Sequence, residues 1–378
     1  MISACEQAAQ KPRKAPSKMA TGRERQAWAH PVAAAASTPE QCPDRQREEG
    51  CYPGDRLAVG RRLLLPAIRM KTVTLGQSQL TSSRLAYGCW RIATKGDAAA
   101  DYAAAKAAIF AAVDAGYTLF DHADIYCDGA AERVFGRILK ENAGLRSKMT
   151  LATKGGIRFK NRPIGAPVRY DFSRAHLIAQ CERSLKQLGI ETIDLLHLHR
   201  PDYLMDAAEV AGVFTELRAS GKVREFGVSN FSPSQFSLLQ NALSFPLVAN
   251  QVEVSLMQLS ALLDGTLDQC QEKKVTPLAW SPLGAGLLGS GGVDLLPGQC
   301  HYNPTAVLPV LDRIAKERGV GRELIALAWI LKHPAKIVPI IGTTRPEQIK
   351  QLAAAADLEL TREEWYHLVT AARGAEMP

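Results

Sequence analysis

Thr118-Leu119-Phe120-Asp121-His122-Ala123-Asp124-Ile125-Tyr126 passes from apolar to polar within a few residues. It follows an alanine-rich helical run ending in Asp114-Ala115-Gly116, so Leu119 to His122 reads as a short buried strand and Ala123 to Tyr126 as the loop leaving it. Asp121 is the first ionisable side chain after the apolar run, and a carboxylate at such a strand end needs a cation or hydrogen-bond donors from elsewhere in the chain. A phenol five residues on is placed to give a proton to a reacting oxygen. At a pKa of about 10 an ordinary tyrosine is a weak acid at neutral pH, so Tyr126 needs help.

Working outward, short apolar runs alternate with longer helical patterns. The runs fall at Leu85 to Cys89, Leu119 to His122, Met149 to Thr153, Ile193 to Leu198, Val223 to Val228, Leu247 to Gln251, Thr276 to Trp280 and Ile337 to Ile341. Helical patterns follow each, including a single run from Leu259 to Lys273 and a long section from Pro309 to His333. Eight strands that each feed a helix predict an α/β fold, a (β/α)8 TIM barrel over residues 70–378. A doubly wound open sheet is the alternative. It is disfavoured because no strand leads at once into a dinucleotide turn with an acid ending the next strand. Before the first barrel strand, Lys71 to Leu75, the turn Gly76-Gln77-Ser78 and a second polar-apolar run predict a short N-terminal hairpin.

In such barrels reacting groups gather at the carboxyl ends of several strands. Those ends here are Asp121, Lys154, His199, Ser229-Asn230, Gln251, Trp280-Ser281 and Gly342-Thr343-Thr344-Arg345. Lys154 is the candidate partner for both Asp121 and Tyr126. Bringing a phenol from about 10 to about 7 takes roughly 4 kcal/mol, and one positive charge about 4 Å away supplies roughly that at an effective dielectric near 20. This requires Asp121 to lie farther from the phenol than Lys154 does. A structural Asp-Lys pair beside an incidental tyrosine is the plainer reading. His197 and His199 share a face of their strand; His199 is nearer the mouth, where a neutral imidazole can donate to a carbonyl oxygen, and His197 reads as a core histidine one layer down. Gly284-Ala285-Gly286-Leu287-Leu288-Gly289 fits a phosphate-binding pattern but lacks the acid that would close a dinucleotide unit, so it reads as a cofactor-covering loop or a plain flexible one.

Composition sets the outer limits. At 378 residues, 46% hydrophobic and 22% charged, the chain is an ordinary globular one without an apolar run long enough for a membrane span. Of the net charge of +8, residues 1–69 hold 12 Lys/Arg against 7 Asp/Glu, or +5, and the remainder 34 against 31, or +3. A near-neutral body offers no clustered basic face for nucleic acid. The eight cysteines show no C-x-x-C spacing and read mostly as reduced core thiols, with no metal site. Residues 1–69 lack periodicity and predict a disordered extension dispensable for folding and chemistry; they contain no secretory signal, their acidic residues count against a transit peptide, and Met70 reads as an alternative start. A cytoplasmic location is expected, with an organelle as the alternative if that extension is a transit segment.

From about Lys71 to the C-terminus the chain resembles the aldo-keto reductase superfamily. Phe120 to Tyr126 is similar to the family's first signature, Leu151 to Lys154 to its lysine strand, Leu195 to Asp202 to its histidine strand and Gly221 to Phe231 to its most recognisable segment. Ala279 to Gly284 and Pro339 to Arg345 complete the series. The resemblance implies NADP(H)-dependent carbonyl reduction: Tyr126 donates the proton, Lys154 and Asp121 tune it and His199 positions the carbonyl. It implies that Ser229, Asn230 and Gln251 hold the nicotinamide amide and that the ring stacks on Trp280, with Ser281, Leu283 and Gly286 also binding the cofactor. It also implies that Gly342, Thr343, Thr344, Arg345 and Gln348 bind the adenosine end, Arg345 pairing with a 2′-phosphate. Gln351-Leu352 stands where many members carry Glu-Asn against adenine, so an altered purine contact is expected. Trp90, Phe159 to Arg169 and Gly291 to Asn303 occupy the substrate loops and fit no substrate-specific pattern. A small-molecule carbonyl partner and a monomer or weak oligomer follow as expectations, as does a competing reading: a cofactor-binding regulatory subunit with little turnover.

Overall fold

A computed structural model of the protein describes residues 70–94, 99–290 and 295–378. The extension expected over residues 1–69 lies outside the described residues, as does part of the Gly291 to Asn303 loop. Eight parallel strands close into a barrel: β3 (Ala86–Gly88), β4 (Leu119–Asp121), β5 (Thr150–Gly155), β8 (Ile193–Leu198), β9 (Val223–Ser229), β10 (Ala249–Glu253), β11 (Thr276–Trp280) and β12 (Val338–Ile341), which pairs back to β3. These are the eight apolar runs read from the sequence, and the TIM barrel they imply is the fold. Parallel barrel strands are buried on both faces, which is why they appear as continuous apolar stretches instead of alternating ones.

Ahead of the barrel, β1 (Thr72–Thr74) and β2 (Thr81–Ser83) form the antiparallel hairpin. Leu75 and Leu80 from this hairpin pack with Leu119, Leu195, Val248, Leu278 and Val338 of the barrel interior, so the hairpin plugs one end. It is fastened there by Gly76 N donating to Thr276 Oγ1 at 2.8 Å and by a reciprocal pair between Ser83 and Thr118. All of these partners lie at or just before strand starts. The carboxyl ends of the strands are therefore the open face.

Around the barrel run α1 (Ala99–Asp114), α2 (Ala130–Glu141), α3 (Arg174–Leu188), α4 (Ala207–Ala219) and α5 (Pro233–Ala242). Beyond them come α6 (Ser260–Leu263), α7 (Thr266–Glu272), α8 (Val307–Arg318), α9 (Arg322–Leu331), α10 (Pro346–Leu352) and α11 (Arg362–Arg373). The run from Leu259 to Lys273, read as one helix, is two: the chain breaks at Gly265, whose φ of 84° is left-handed. Gly319, at φ 66°, likewise separates α8 from α9. A small hairpin of β6 (Ile157–Arg158) and β7 (Arg169–Tyr170) stands above the third barrel strand and had no signature in the sequence. Among the described residues no helix is long and apolar enough to cross a membrane.

Helix α2 approaches α3 closely at Gly136, where an added Cβ would lie 2.2 Å from the Gln187 carbonyl oxygen and 2.8 Å from the Leu188 backbone. Backbone cannot yield as a side-chain tip can, so Gly136→Ala should force the two helices apart and destabilise the fold by about 1–3 kcal/mol. Denaturant unfolding measures it; an unchanged midpoint would show that the approach is slack.

Candidate active site

Asp121 closes β4 and Lys154 lies near the end of its neighbour β5, and the barrel register brings their side chains together beneath the open face. Lys154 is wholly buried. Its ammonium donates to Asp121 Oδ2 at 2.8 Å, to the His122 carbonyl oxygen at 2.7 Å and to the Tyr126 hydroxyl at 3.0 Å. These three acceptors use all three of its N–H bonds, which is what makes a buried ammonium tolerable. Asp121 Oδ1 accepts in turn from Gln251 Nε2 at 2.8 Å, a contact across the barrel between residues 130 apart in sequence.

Burial alone would lower the Lys154 pKa, but Asp121 and Tyr126 together outweigh it and hold it above the usual lysine value. The phenol departs from the sequence-based expectation. Burial pushes Tyr126 up to about 12; Lys154 pulls it down, with Asp121 partly opposing. Lys154 does act on the phenol more strongly than Asp121, as required, yet desolvation of the would-be phenolate wins. One nearby positive charge does not offset the cost of desolvating the phenolate.

His199 stands at the mouth with its ring 6.1 Å from the Tyr126 ring, centre to centre, and roughly perpendicular to it. Burial, then the charges of Lys154 and Arg200, hold its pKa well below the ordinary histidine value, so the imidazole is neutral. His197 is completely buried one layer down, as expected from its spacing, beside Lys154 on one strand and Gly227 on the other. Burial lowers it to about 3.

A cavity of about 810 Å³ opens above these groups. Asp121, Tyr126 and His199 line it, as do Trp90, Ser229, Asn230, Gln251, Trp280, Ser281, Leu283, Gly286, Gly342, Thr343, Thr344, Arg345 and Gln348. Of the site residues read from the sequence only Lys154 stays behind the wall. Trp90 stacks against Tyr126 at 6.1 Å. Trp280 Nε1 donates to Asn230 Oδ1 at 3.0 Å, Asn230 Nδ2 to Ser229 Oγ at 2.8 Å, and Ser229 Oγ to the Gln251 carbonyl at 2.9 Å. Gln251 differs from its expected place among pure cofactor ligands, because its amide nitrogen is committed to Asp121. At the far end Gln348 Oε1 accepts from Thr343 Oγ1 at 2.5 Å and from Arg345 Nε at 3.2 Å. Gln351 turns away to Glu323, and Leu352 meets the cavity in its stead.

Sequence reasoning missed several lining residues. Arg91 lies against Gly342, where a Cβ would meet its Nη1 at 2.9 Å, and Arg200 lies over Trp280 with its guanidinium 5.3 Å from the ring centre. Ile157, from the unforeseen hairpin, also lines the cavity. Arg200 directly follows His199 and its strand position was a usable signal; the other two depend on tertiary placement. Among the described residues no group of three or more His, Cys, Asp or Glu is arranged to hold a metal. Cys89, Cys181 and Cys270 are buried free thiols, while Cys127 is half-buried and Cys300 exposed.

The Aldo/keto reductase family profile matches residues 84–372, and the chain belongs to that family. It is 43% identical over 301 residues to 6-dehydroglucose reductase of Agrobacterium fabrum, covering 79% of this chain and 97% of that one. The enzyme of the same name from Novosphingobium aromaticivorans is 40% identical over 321 residues, covering 83% and 98%. The solved structure of glycerol dehydrogenase AKR11B4 from Gluconobacter oxydans superposes with a TM-score of 0.71 at 27% identity, covering 81% and 97%. The protein is thus an oxidoreductase, and its family implies a nicotinamide cofactor.

Lys154→Met should remove all three donated hydrogen bonds and leave Asp121 buried with only Gln251, at a cost of about 3–5 kcal/mol. Tyr126→Phe keeps the ring and its stacking and removes one of the three acceptors, so it should cost less, at most about 1–3 kcal/mol. Calorimetry of the two variants checks the contrast; equal shifts would mean that the ion pair is not the element under load.

Proposed function

We propose that the protein reduces aldehydes or ketones with NADPH, using the Tyr126 hydroxyl as proton donor, and that its substrates are polyhydroxylated sugar aldehydes of the 6-dehydroglucose kind. The observation that carries this reading is the Asp121–Lys154–Tyr126 chain of hydrogen bonds at the floor of a cavity of about 810 Å³. The donor set fits such a cofactor. An indole face at Trp280 suits a flat ring, the amide and hydroxyl groups of Asn230 and Ser229 suit a carboxamide, and an exposed guanidinium at Arg345 suits a phosphate. When bound, the cofactor supplies a hydride.

The residues of this chain do the rest. As negative charge builds on the carbonyl oxygen, the phenol donates its proton, and the phenolate left behind sits 3.0 Å from the Lys154 ammonium. A phenol held near 12 stays protonated, and therefore ready to donate, over the whole working pH range. Neutral His199, lining the same cavity, adds a second donor to the same oxygen. Trp90 and Phe159 give flat apolar faces and Arg200 a donor fork, a combination suited to a sugar's mixed surface. The two 6-dehydroglucose reductases, aligned over nearly their full lengths, support that substrate class.

Steady-state assays with NADPH and a panel of simple and sugar aldehydes test the proposal. Tyr126→Phe should lower kcat by about 10² to 10⁴ while leaving NADPH affinity intact. Near-normal turnover would place the proton on another residue. Arg345→Ala should raise the KM for NADPH and leave the weaker NADH reaction nearly unchanged, because the guanidinium acts only on the extra phosphate; equal losses with both cofactors would make Arg345 structural.

A further inference from the structure

The turn that carries Tyr126 is not held by the three interacting groups alone. Cys127 and Asp128 follow at φ of 51° and 54°, a left-handed region that side chains other than glycine rarely adopt, and Gly129 continues it at 80°. Such a segment persists only when its surroundings over-determine it. Two residues before the phenol, Asp124 turns its carboxyl away from the cavity and into the space between the β5 strand end and helices α2 and α3, where it is completely covered. Its Oδ2 accepts from Arg183 Nη2 of α3 at 2.9 Å, and its backbone N–H donates to the Lys154 carbonyl oxygen at 3.0 Å. One residue thus ties the tyrosine turn both to the lysine strand and to the outer helix layer.

The anchor is an expensive one. Burial pushes the Asp124 carboxyl up to about 7, with Arg183 and a hydrogen bond from the Ile125 backbone opposing and Glu132 adding to the rise. Glu132, in the first turn of α2, is also buried; its Oε1 accepts from Thr153 Oγ1 at 2.6 Å, and burial raises its pKa as well. Arg183, half-exposed and braced by Gln180, is the cation both carboxyls share. A carboxylate buried beside a second carboxylate is a poor way to stabilise a fold. Its geometry serves the position of the turn instead.

We propose that Asp124, clamped by Arg183, is a positioning residue that keeps the Tyr126 phenol within hydrogen-bond reach of Lys154. The inference rests on the proton-donor reading of Tyr126. A misplacement of about 1 Å at a reacting group costs up to roughly a hundredfold in rate, so Asp124→Ala should lower kcat by about ten- to a hundredfold with the substrate KM and NADPH affinity nearly unchanged. Asp124→Asn, whose side-chain oxygen still accepts from Arg183, should recover most of that turnover.

A double-mutant cycle separates positioning from a general structural role. In a Tyr126→Phe background, where no phenol remains to be positioned, Asp124→Ala should cause no further loss in single-turnover rate. The same fractional loss in both backgrounds, or full turnover in Asp124→Ala alone, overturns the proposal. Should Asp124→Ala fail to fold, Arg183→Met removes the clamp from the solvent side and is read through the same cycle. Wild-type turnover in Tyr126→Phe by itself would instead overturn the proton-donor reading, and the positioning role with it.

Discussion

A lysine and an aspartate buried together at the strand ends of a barrel are the constraint around which the site is built. The Lys154 ammonium and the Asp121 carboxylate, 2.8 Å apart and almost without solvent exposure, would each be costly alone. Every neighbouring group reads as part of the settlement: the His122 carbonyl and the Tyr126 hydroxyl take the remaining ammonium protons, and Gln251 reaches across the barrel to the second carboxylate oxygen. The barrel makes this possible by setting β4 and β5 in register and by closing its other end with the N-terminal hairpin, so that the polar strand ends share one open face.

This arrangement determines what the lysine does to the phenol. An isolated ammonium at 3.0 Å would draw a phenol's pKa down, but one already paired to a carboxylate presents a reduced field, and the phenol is partly buried besides. The balance holds Tyr126 as an acid that keeps its proton until a partner oxygen becomes more basic. In the proposed mechanism Lys154 acts on the product side, where a newly formed phenolate would sit beside it. On that proposal the lysine stabilises the proton-transferred state more than it activates the resting one.

Much of this was legible in the sequence, for a physical reason. Barrel strands buried on both faces leave unbroken apolar runs, and a polar residue at the end of each run stands out against them, so Asp121, Lys154, His199, Asn230, Gln251 and Trp280 could be named before any geometry was known. What escaped was whatever depends on burial or on distant contacts. The phenol's shift needed its desolvation; the Gln251–Asp121 bond joins strands far apart in the chain; and the two-residue strands Ile157–Arg158 and Arg169–Tyr170 are too short for any periodicity. The helix breaks at Gly265 and Gly319 carried a usable signal, since an isolated glycine near a helix end marks a left-handed stop. The tie between Asp124 and Arg183 spans 59 residues and has no local mark at all.

The central claim is that burial and the Asp121 pairing together outweigh Lys154 and leave the Tyr126 phenol protonated. Ultraviolet difference titration of wild type against Tyr126→Phe, following phenolate absorbance from about pH 6 to about pH 10, reads that proton directly. The account predicts no phenolate attributable to Tyr126 anywhere in that range. A phenolate appearing with a midpoint near 7 would contradict it and restore the lysine as the dominant charge on a depressed tyrosine.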